Sequence, residues 1–304
     1  MEVLSSLFTI LVIVLLGILS RRLDVFKAEH AKTISSFVYY FGLPALFFTK
    51  IANLDLMNLD PIFLIGTLVP TLVLLVLLLF IYQIKILKKD TFILLGLSIS
   101  FGSYAFFGVA FFETFQNGIW LESSILAASL LGVLGIVTTL LLLEYANQKK
   151  QNMRILGKII SNPLILSISF GVLFSLVGIR IDFLTNALNL VGKTSSALAI
   201  FVLGMFIHDR FSWKGLIKAL PYSLFRMITL PLVTGIILWL FLPGIGELTQ
   251  FLLLENGMPA AIALVVFAER YEYKVTETAG IVSLTSILSF AGLTAIYYLS
   301  LLTF

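Results

Sequence analysis

An acid, an amide, a glycine and a proline stand together at Glu255-Asn256-Gly257-Met258-Pro259, inside the apolar segment 248–268. This segment is long enough to cross a bilayer, because about 20 apolar residues span the hydrocarbon core as a helix. Proline removes a backbone donor and clashes with the preceding turn, so a helix cannot pass smoothly through the cluster. Open backbone at membrane depth has to be buried in protein or line a wet cavity. The cluster therefore predicts an interrupted membrane helix that carries polar groups.

The composition is that of a membrane protein. Of the 304 residues, 60% are hydrophobic and only 12% are charged, and the mean hydropathy is +1.08. Soluble domains average about 25% charged residues. The absence of cysteine excludes disulfides and thiolate sites. The two histidines, His30 and His208, fall at segment ends, so we expect no enzyme, no cofactor and no metal site.

Ten apolar segments are long enough to be membrane spans. They are 3–19, 34–52, 61–84, 92–112, 123–143, 163–179, 183–207, 216–242, 248–268 and 275–302. Their connections are short, and the longest lies near the middle of the chain. The sequence thus predicts an all-α polytopic protein embedded in the lipid bilayer.

The basic residues orient these spans. The odd-numbered connections hold 16 of the 20 basic residues, whereas the even-numbered ones hold only Lys50 and Arg180. Because positive loops stay in the cytoplasm, both termini are predicted to be extracytoplasmic. The basic residues are spread over short loops, so the chain is not expected to bind nucleic acid.

Five spans precede the central cytoplasmic loop 144–162 and five follow it, so two five-helix repeats, 1–143 and 163–304, are predicted to run in opposite orientations. At an offset of about 155 residues, the glycine-serine pair Gly102-Ser103 in the fourth span aligns with the break at Gly257 in the ninth. Interrupted segments at matching places in two halves indicate a transport site. The predicted helix-break residues are Gly102, Gly108, Gly257 and Pro259.

Polar and cavity-lining residues near the two interruptions, together with two charged residues of the seventh and eighth spans, are the predicted ligands. Half-helix N-termini carry partial positive charge and suit a carboxylate, so a small organic anion is the favoured substrate. The predicted substrate-binding residues are Ser103, Tyr104, Asn256, Gly257, Met258, Pro259, Lys193 and Arg226.

Three charges are predicted to be buried within spans. Glu255 can couple transport to protons or another cation, or can pair with a base. Lys193, about midway along the seventh span, can attract an anion, substitute for a coupling sodium ion or snorkel to the interface. Arg226 can hold a substrate carboxylate or neutralise Glu255 in a structural ion pair.

Several stretches resemble the auxin efflux carrier family, which includes plant auxin exporters and prokaryotic malate-permease-like proteins. They are 17–22, 37–46, the Asn162-Pro163 start of the sixth span, 198–204, the Met258-Pro259-Ala260-Ala261 run and 283–289. The resemblance extends along the whole chain. Family members often have asparagine where Ser103 and Ala263 stand, and proline where Ala110 and Ala197 stand.

The resemblance implies a fold like that of bile-acid and sodium–proton transporters, with broken helices 4 and 9 crossing. Helices 1, 2, 6 and 7 would form a scaffold and a homodimer face, and helices 3–5 and 8–10 a mobile transport unit. It also implies a prokaryotic plasma membrane location.

Three functions remain as hypotheses. The first is secondary transport of a small organic anion by elevator-type alternating access, with coupling to protons or sodium. The second is cation–proton antiport on the same fold, although such sites usually have paired acids. The third is a membrane sensor that transports nothing.

Overall fold

The computed structural model describes residues 2–53, 60–147, 162–210, 212–241 and 246–303. Within these ranges the chain is helical, and its only β-type pairing is one isolated bridge. The helices of the first half are α1 (Glu2–Arg22), α2 (Ala28–Phe37), α3 (Leu43–Ile51), α4 (Pro61–Gln83), α5 (Lys89–Ser100), α6 (Val109–Thr114) and α7 (Leu121–Asn147). Those of the second half are α8 (Pro163–Val177), α9 (Asp182–Gly192), α10 (Ser195–Arg210), α11 (Trp213–Phe241), α12 (Glu247–Asn256), α13 (Ala263–Arg270) and α14 (Val275–Thr303).

Seven helical segments in the described part of the chain are long and apolar enough to cross a membrane. They are Val3–Arg22, Ala28–Ile51, Pro61–Gln83, Leu121–Ala146, Asp182–Arg210, Trp213–Phe241 and Val275–Leu301. Of the other predicted spans, 163–179 forms the 15-residue α8, whereas 92–112 and 248–268 are interrupted. The all-helical, polytopic architecture is confirmed, and the count of ten spans stays a prediction.

The start of α8 follows from its sequence. Asn162 is the N-cap, and its side chain accepts a hydrogen bond of 2.9 Å from the Leu164 N–H. Pro163 occupies the first helical position, where its missing N–H costs nothing. Residues 148–161 of the predicted central loop lie outside the described residues.

The chain divides into two compact units that each combine three separated segments. Unit one comprises Met1–Leu59, Ala105–Ser129 and Arg154–Asp209. Unit two comprises Asp60–Tyr104, Leu130–Met153 and Arg210–Phe304.

Unit one is held together by close helix packing. The backbones of α1 and α10 approach at Gly17 and Gly204, where an added Cβ would overlap the backbone of the facing helix. Small residues allow such approach where lipid supplies no hydrophobic drive for helix association. Phe48 of α3 and Phe174 of α8 meet edge to face at 5.1 Å.

Unit two is built around α11 and α14. Gly280 of α14 lies against the Gly215 backbone of α11, so these two long helices pack closely. On α4, Phe63 stacks on Phe251 of α12 with ring centroids 6.0 Å apart. The interrupted helices α5 and α12 both pack against α4 and α11.

Candidate functional site

Two interruptions of helical structure lie in unit two. After α5 ends at Ser100, Phe101 is extended with φ −130° and ψ 100°, and helical structure resumes as a π-helical turn at Tyr104–Gly108. After α12 ends at Asn256, the chain stays largely non-helical until α13 begins at Ala263. Both predicted interruptions are therefore present in the structure, the first at Gly102 and the second at Gly257 and Pro259.

The two interruptions are hydrogen-bonded to each other. The Ser103 N–H donates to the Pro259 carbonyl at 2.7 Å, and the Ala261 N–H donates to the Phe101 carbonyl at 3.0 Å. These two bonds flank an antiparallel bridge between Gly102 and Ala260. Backbone groups released from the helices thus satisfy one another, as open backbone inside a membrane requires.

A threonine of α14 completes this arrangement. The Thr285 hydroxyl accepts a hydrogen bond of 3.0 Å from the Ala260 N–H. The same hydroxyl donates to the Ile281 carbonyl at 2.7 Å, which fixes its orientation. Thr285 thereby ties the second break to a continuous helix.

Arg226 of α11 is fully buried and joins both breaks. Its Nε and Nη2 donate to the Met258 carbonyl at 3.0 and 2.9 Å, and its Nη1 donates to the Ser98 carbonyl at 2.5 Å. Ser98 lies in the last turn of α5, whose carbonyls have no partner within the helix. Since helix C-termini carry partial negative charge, the guanidinium neutralises the ends of two half-helices. This geometry favours a structural role for Arg226 over direct contact with a substrate.

Tyr104 lies beside this guanidinium. Its side chain is buried, its ring centroid lies 5.9 Å from the Arg226 Cζ, and its hydroxyl accepts from Nη2 at 3.5 Å. A cation this close to an aromatic face is attracted by the ring quadrupole. Tyr104 therefore packs on the Arg226 side chain within unit two.

Gly102 is required by the same contact. A Cβ at this position would overlap Arg226 Nη2 and the Tyr104 ring, whose Cε2 atom would lie 2.7 Å away. The sequence marked Gly102 as a point where the helix breaks. The structure gives a steric reason for glycine, since only a bare backbone leaves room for the guanidinium.

Glu255 and Asn256, the last two residues of α12, are both fully buried. The Asn256 Nδ2 donates to the Gly66 and Leu252 carbonyls at 3.1 and 3.0 Å. The Glu255 carboxyl and the Arg226 guanidinium both lie within electrostatic range of the Tyr104 hydroxyl. The predicted burial of Glu255 and Arg226 is correct.

Comparison with known proteins gives a family for this arrangement. A model of the family described as "Membrane transport protein" matches residues 2–155 and 150–297. The chain belongs to the membrane transport protein family. The resemblance to auxin efflux carriers seen in the sequence is confirmed, and the chain is an integral membrane transporter.

One curated relative is an uncharacterized transporter from Methanocaldococcus jannaschii. It is 23% identical to this membrane transport protein over 294 residues, which cover 92% of this chain and 93% of the relative. The similarity therefore extends over nearly the full length of both proteins.

The other predicted break residues of this family member are also buried. Gly257 has a right-handed backbone, and a Cβ there would lie 2.6 Å from Ile296 of α14, so its role is close helix packing. Met258 and Pro259 contribute their carbonyls to the contacts with Arg226 and Ser103. Gly108 is helical (φ −60°, ψ −54°) and joins the π-helical turn directly to α6, so the break predicted at Gly108 is not present.

Lys193 differs from the prediction. It belongs to unit one, where it follows the end of α9 at a break between α9 and α10, and its side chain is exposed. The expectation that it is buried is wrong, because this break turns it away from the packed interior. The segment 183–207 was predicted to be one continuous span. The run of polar residues Lys193, Thr194 and Ser195 is the sequence signal for a break in this helix.

Two buried threonines of unit two, Thr67 and Thr71, were not predicted from the sequence. The Thr67 and Thr71 hydroxyl oxygens of α4 and the Asn256 Oδ1 are buried, and among the described residues they have no hydrogen-bond partner. Thr71 approaches the Tyr104 hydroxyl, and Thr67 adjoins Gly66, which accepts from Asn256. The two threonines recur at a four-residue spacing, which places them on one helical face.

Proposed function

We propose that this transporter moves a small organic anion, such as a carboxylate, by secondary active transport. The observation that carries the proposal is the fully buried Arg226, which is held between the two paired breaks. The N–H groups of Arg226 donate to backbone carbonyls, but its positive charge would still attract an anionic ligand beside the breaks. Ser103, Tyr104, Asn256 and residues 257–259 would contact that ligand.

Glu255 would couple transport to protons. When Glu255 is ionised, its charge offsets that of Arg226 nearby. When it takes up a proton, the positive charge of Arg226 remains and attracts an anion. Proton and anion binding would therefore assist each other, which is the requirement for movement of both in one direction.

The architecture we propose has ten spans in two inverted five-helix repeats, with broken helices 4 and 9 crossing. The antiparallel pairing of Gly102 with Ala260 supports a crossing of this kind. The segments that carry the breaks would travel as a transport unit against a scaffold in an elevator-type cycle. The protein would be a homodimer in a prokaryotic plasma membrane, with both termini extracytoplasmic.

Flux measurements on purified protein in lipid vesicles test this proposal. We expect uptake of labelled dicarboxylate or indole-carboxylate that increases when an inward proton gradient is imposed. Glu255→Gln should abolish the dependence on the gradient. The exposed acid Glu122 provides the control, because Glu122→Gln should leave that dependence intact. If Glu255→Gln changes neither flux nor its pH dependence, the coupling proposal is wrong.

Cation–proton antiport is a second candidate, supported by the buried oxygens of Asn256, Thr67 and Thr71. Buried polar atoms without a protein partner often hold a water or an ion. In the same vesicles, sodium-dependent pH equilibration without movement of any organic acid would favour the antiporter over the anion carrier.

A further inference from the structure

A separate cavity of about 210 Å³ lies entirely within unit one. It lies where the break after α9 meets α3, beside the point at which Gly192 packs closely on the Leu46 backbone. Leu46, Val109 and Leu121 contribute apolar surface. Drug-sized ligands occupy pockets of about 300–1,000 Å³, so this cavity suits a smaller molecule with an apolar body.

Charges of both signs line this cavity. Lys50, Lys193 and Glu113 all contribute to its wall. Lys50 is already engaged, since its Nζ lies 3.8 Å from the Glu122 carboxylate. Within the described part of the chain, neither Lys193 nor Glu113 has an oppositely charged group within 4.0 Å. One cation and one anion therefore share the cavity without pairing.

Each charge lies beside backbone that carries a partial charge of the same sign. Lys193 lies two residues before the first residue of α10, whose N-terminus carries partial positive charge. Ser196 in the first turn of α10 also lines the cavity and is only 5% exposed. Glu113 lies at the opposite kind of terminus, in the last turn of α6, where carbonyls carry partial negative charge. The cavity thus has a positive end and a negative end.

We propose that this cavity binds a small zwitterion with an apolar side chain, namely an aliphatic α-amino acid. Its carboxylate binds Lys193 and the Ser196 hydroxyl, and its ammonium group binds Glu113. A simple carboxylate is repelled by Glu113, and a simple amine is repelled by Lys193. A molecule that carries both charges satisfies both side chains.

Three matched probes test the proposal by calorimetric titration of the purified full-length chain. L-Leucine carries both charges, 4-methylpentanoate lacks the ammonium group and 3-methylbutylamine lacks the carboxylate. We expect leucine to bind at least about tenfold more tightly than either partial analogue, because each analogue leaves one charged partner unsatisfied.

Variants assign the two ends of the cavity. Glu113→Gln should weaken leucine binding about tenfold and leave 4-methylpentanoate binding no weaker, whereas Lys193→Gln should weaken both. Lys218→Gln and Glu277→Gln in unit two are charge-matched controls and should leave leucine binding unchanged. All four side chains lie at the surface or at the cavity wall, and elution as a single species checks folding.

Two results would overturn this inference. One is the absence of leucine binding up to its solubility limit. The other is equal affinity for leucine and 4-methylpentanoate with no effect of Glu113→Gln, which would make the cavity a plain carboxylate site. Calorimetric titration measures binding and not transport. The amino-acid site can therefore be confirmed or refuted even if the anion-transport proposal fails.

Discussion

Replacing Arg226 with methionine tests whether this side chain holds the two breaks in place. The guanidinium makes three hydrogen bonds of 3.0 Å or less to the Met258 and Ser98 carbonyls. Methionine fills most of the volume but donates nothing. Each carbonyl left buried without a donor costs about 1–3 kcal/mol, so two cost about 2–6 kcal/mol.

Removing a buried charge also relieves its desolvation, which offsets part of this loss. We therefore expect Arg226→Met to lower the free energy of unfolding by about 2–4 kcal/mol, a large share of the roughly 5–15 kcal/mol typical of folded proteins. Arg226→Lys keeps the charge, but a single ammonium nitrogen cannot match the planar guanidinium in binding two carbonyls at once. We therefore expect this variant to lose less stability than Arg226→Met but more than the control.

The assay is reversible unfolding in mixed micelles, with Lys218→Met as the matched control on the same helix. Lys218 is largely exposed and forms an ion pair with Glu277 at 3.6 Å, and ion pairs at the surface contribute about 0–1 kcal/mol. The reasoning would be refuted if Arg226→Met changed stability by no more than this control. Loss of anion binding without loss of stability would instead make Arg226 a substrate ligand.

Three further substitutions probe the breaks and the loop after α13. Gly102→Ala should cost about 1–3 kcal/mol through overlap with the guanidinium, whereas Gly132→Ala, where nothing lies within 4 Å of an added Cβ, should be neutral or stabilising in the same unfolding assay. Thr285→Val removes the acceptor at the second break and should cost about 1–3 kcal/mol, and Thr285→Ser should retain most of the stability; equal losses would contradict the hydrogen bond. Burial and the hydrogen bond to Glu144 raise the pKa of Tyr271 from 10.0 to about 12, so its stabilising contribution is full below pH 10 and is lost as pH rises through 12. Alkaline unfolding should show this loss in the wild type but not in Tyr271→Phe, and identical profiles would contradict it.

The interruptions were predictable because their causes are local. Proline and glycine act on their own turn of helix, so Pro259 and Gly257 identify the second break without any knowledge of neighbours. The first break, at Gly102-Ser103, has no proline, and its position came from alignment of the two halves. Short-range chemistry and the predicted alignment of the two halves were thus enough to locate both breaks.

The partners of the buried charges were not predictable in the same way. Arg226 lies 32 residues from Met258 and 128 from Ser98, so its role depends on how α5, α11 and α12 pack. A sequence shows that a buried charge needs partners but not which carbonyls lie within reach. The predicted burial of Lys193 was wrong for a related reason, because its exposure depends on the break between α9 and α10, which the length of the apolar segment 183–207 does not reveal.

At the two breaks this chain lacks several of the asparagine and proline residues that family members often have, and other side chains stabilise the breaks in their place. Ser103 and Ala263 supply less hydrogen bonding than asparagine, and Ala110 imposes no kink. In unit two, the guanidinium of Arg226 and the hydroxyl of Thr285 bind the freed backbone groups instead. A break held by a side chain from another helix depends on that helix staying in register with it. We therefore expect α11 and α14 to move together with the two breaks as one body, because separating them would expose the Ala260 N–H and two buried carbonyls inside the membrane.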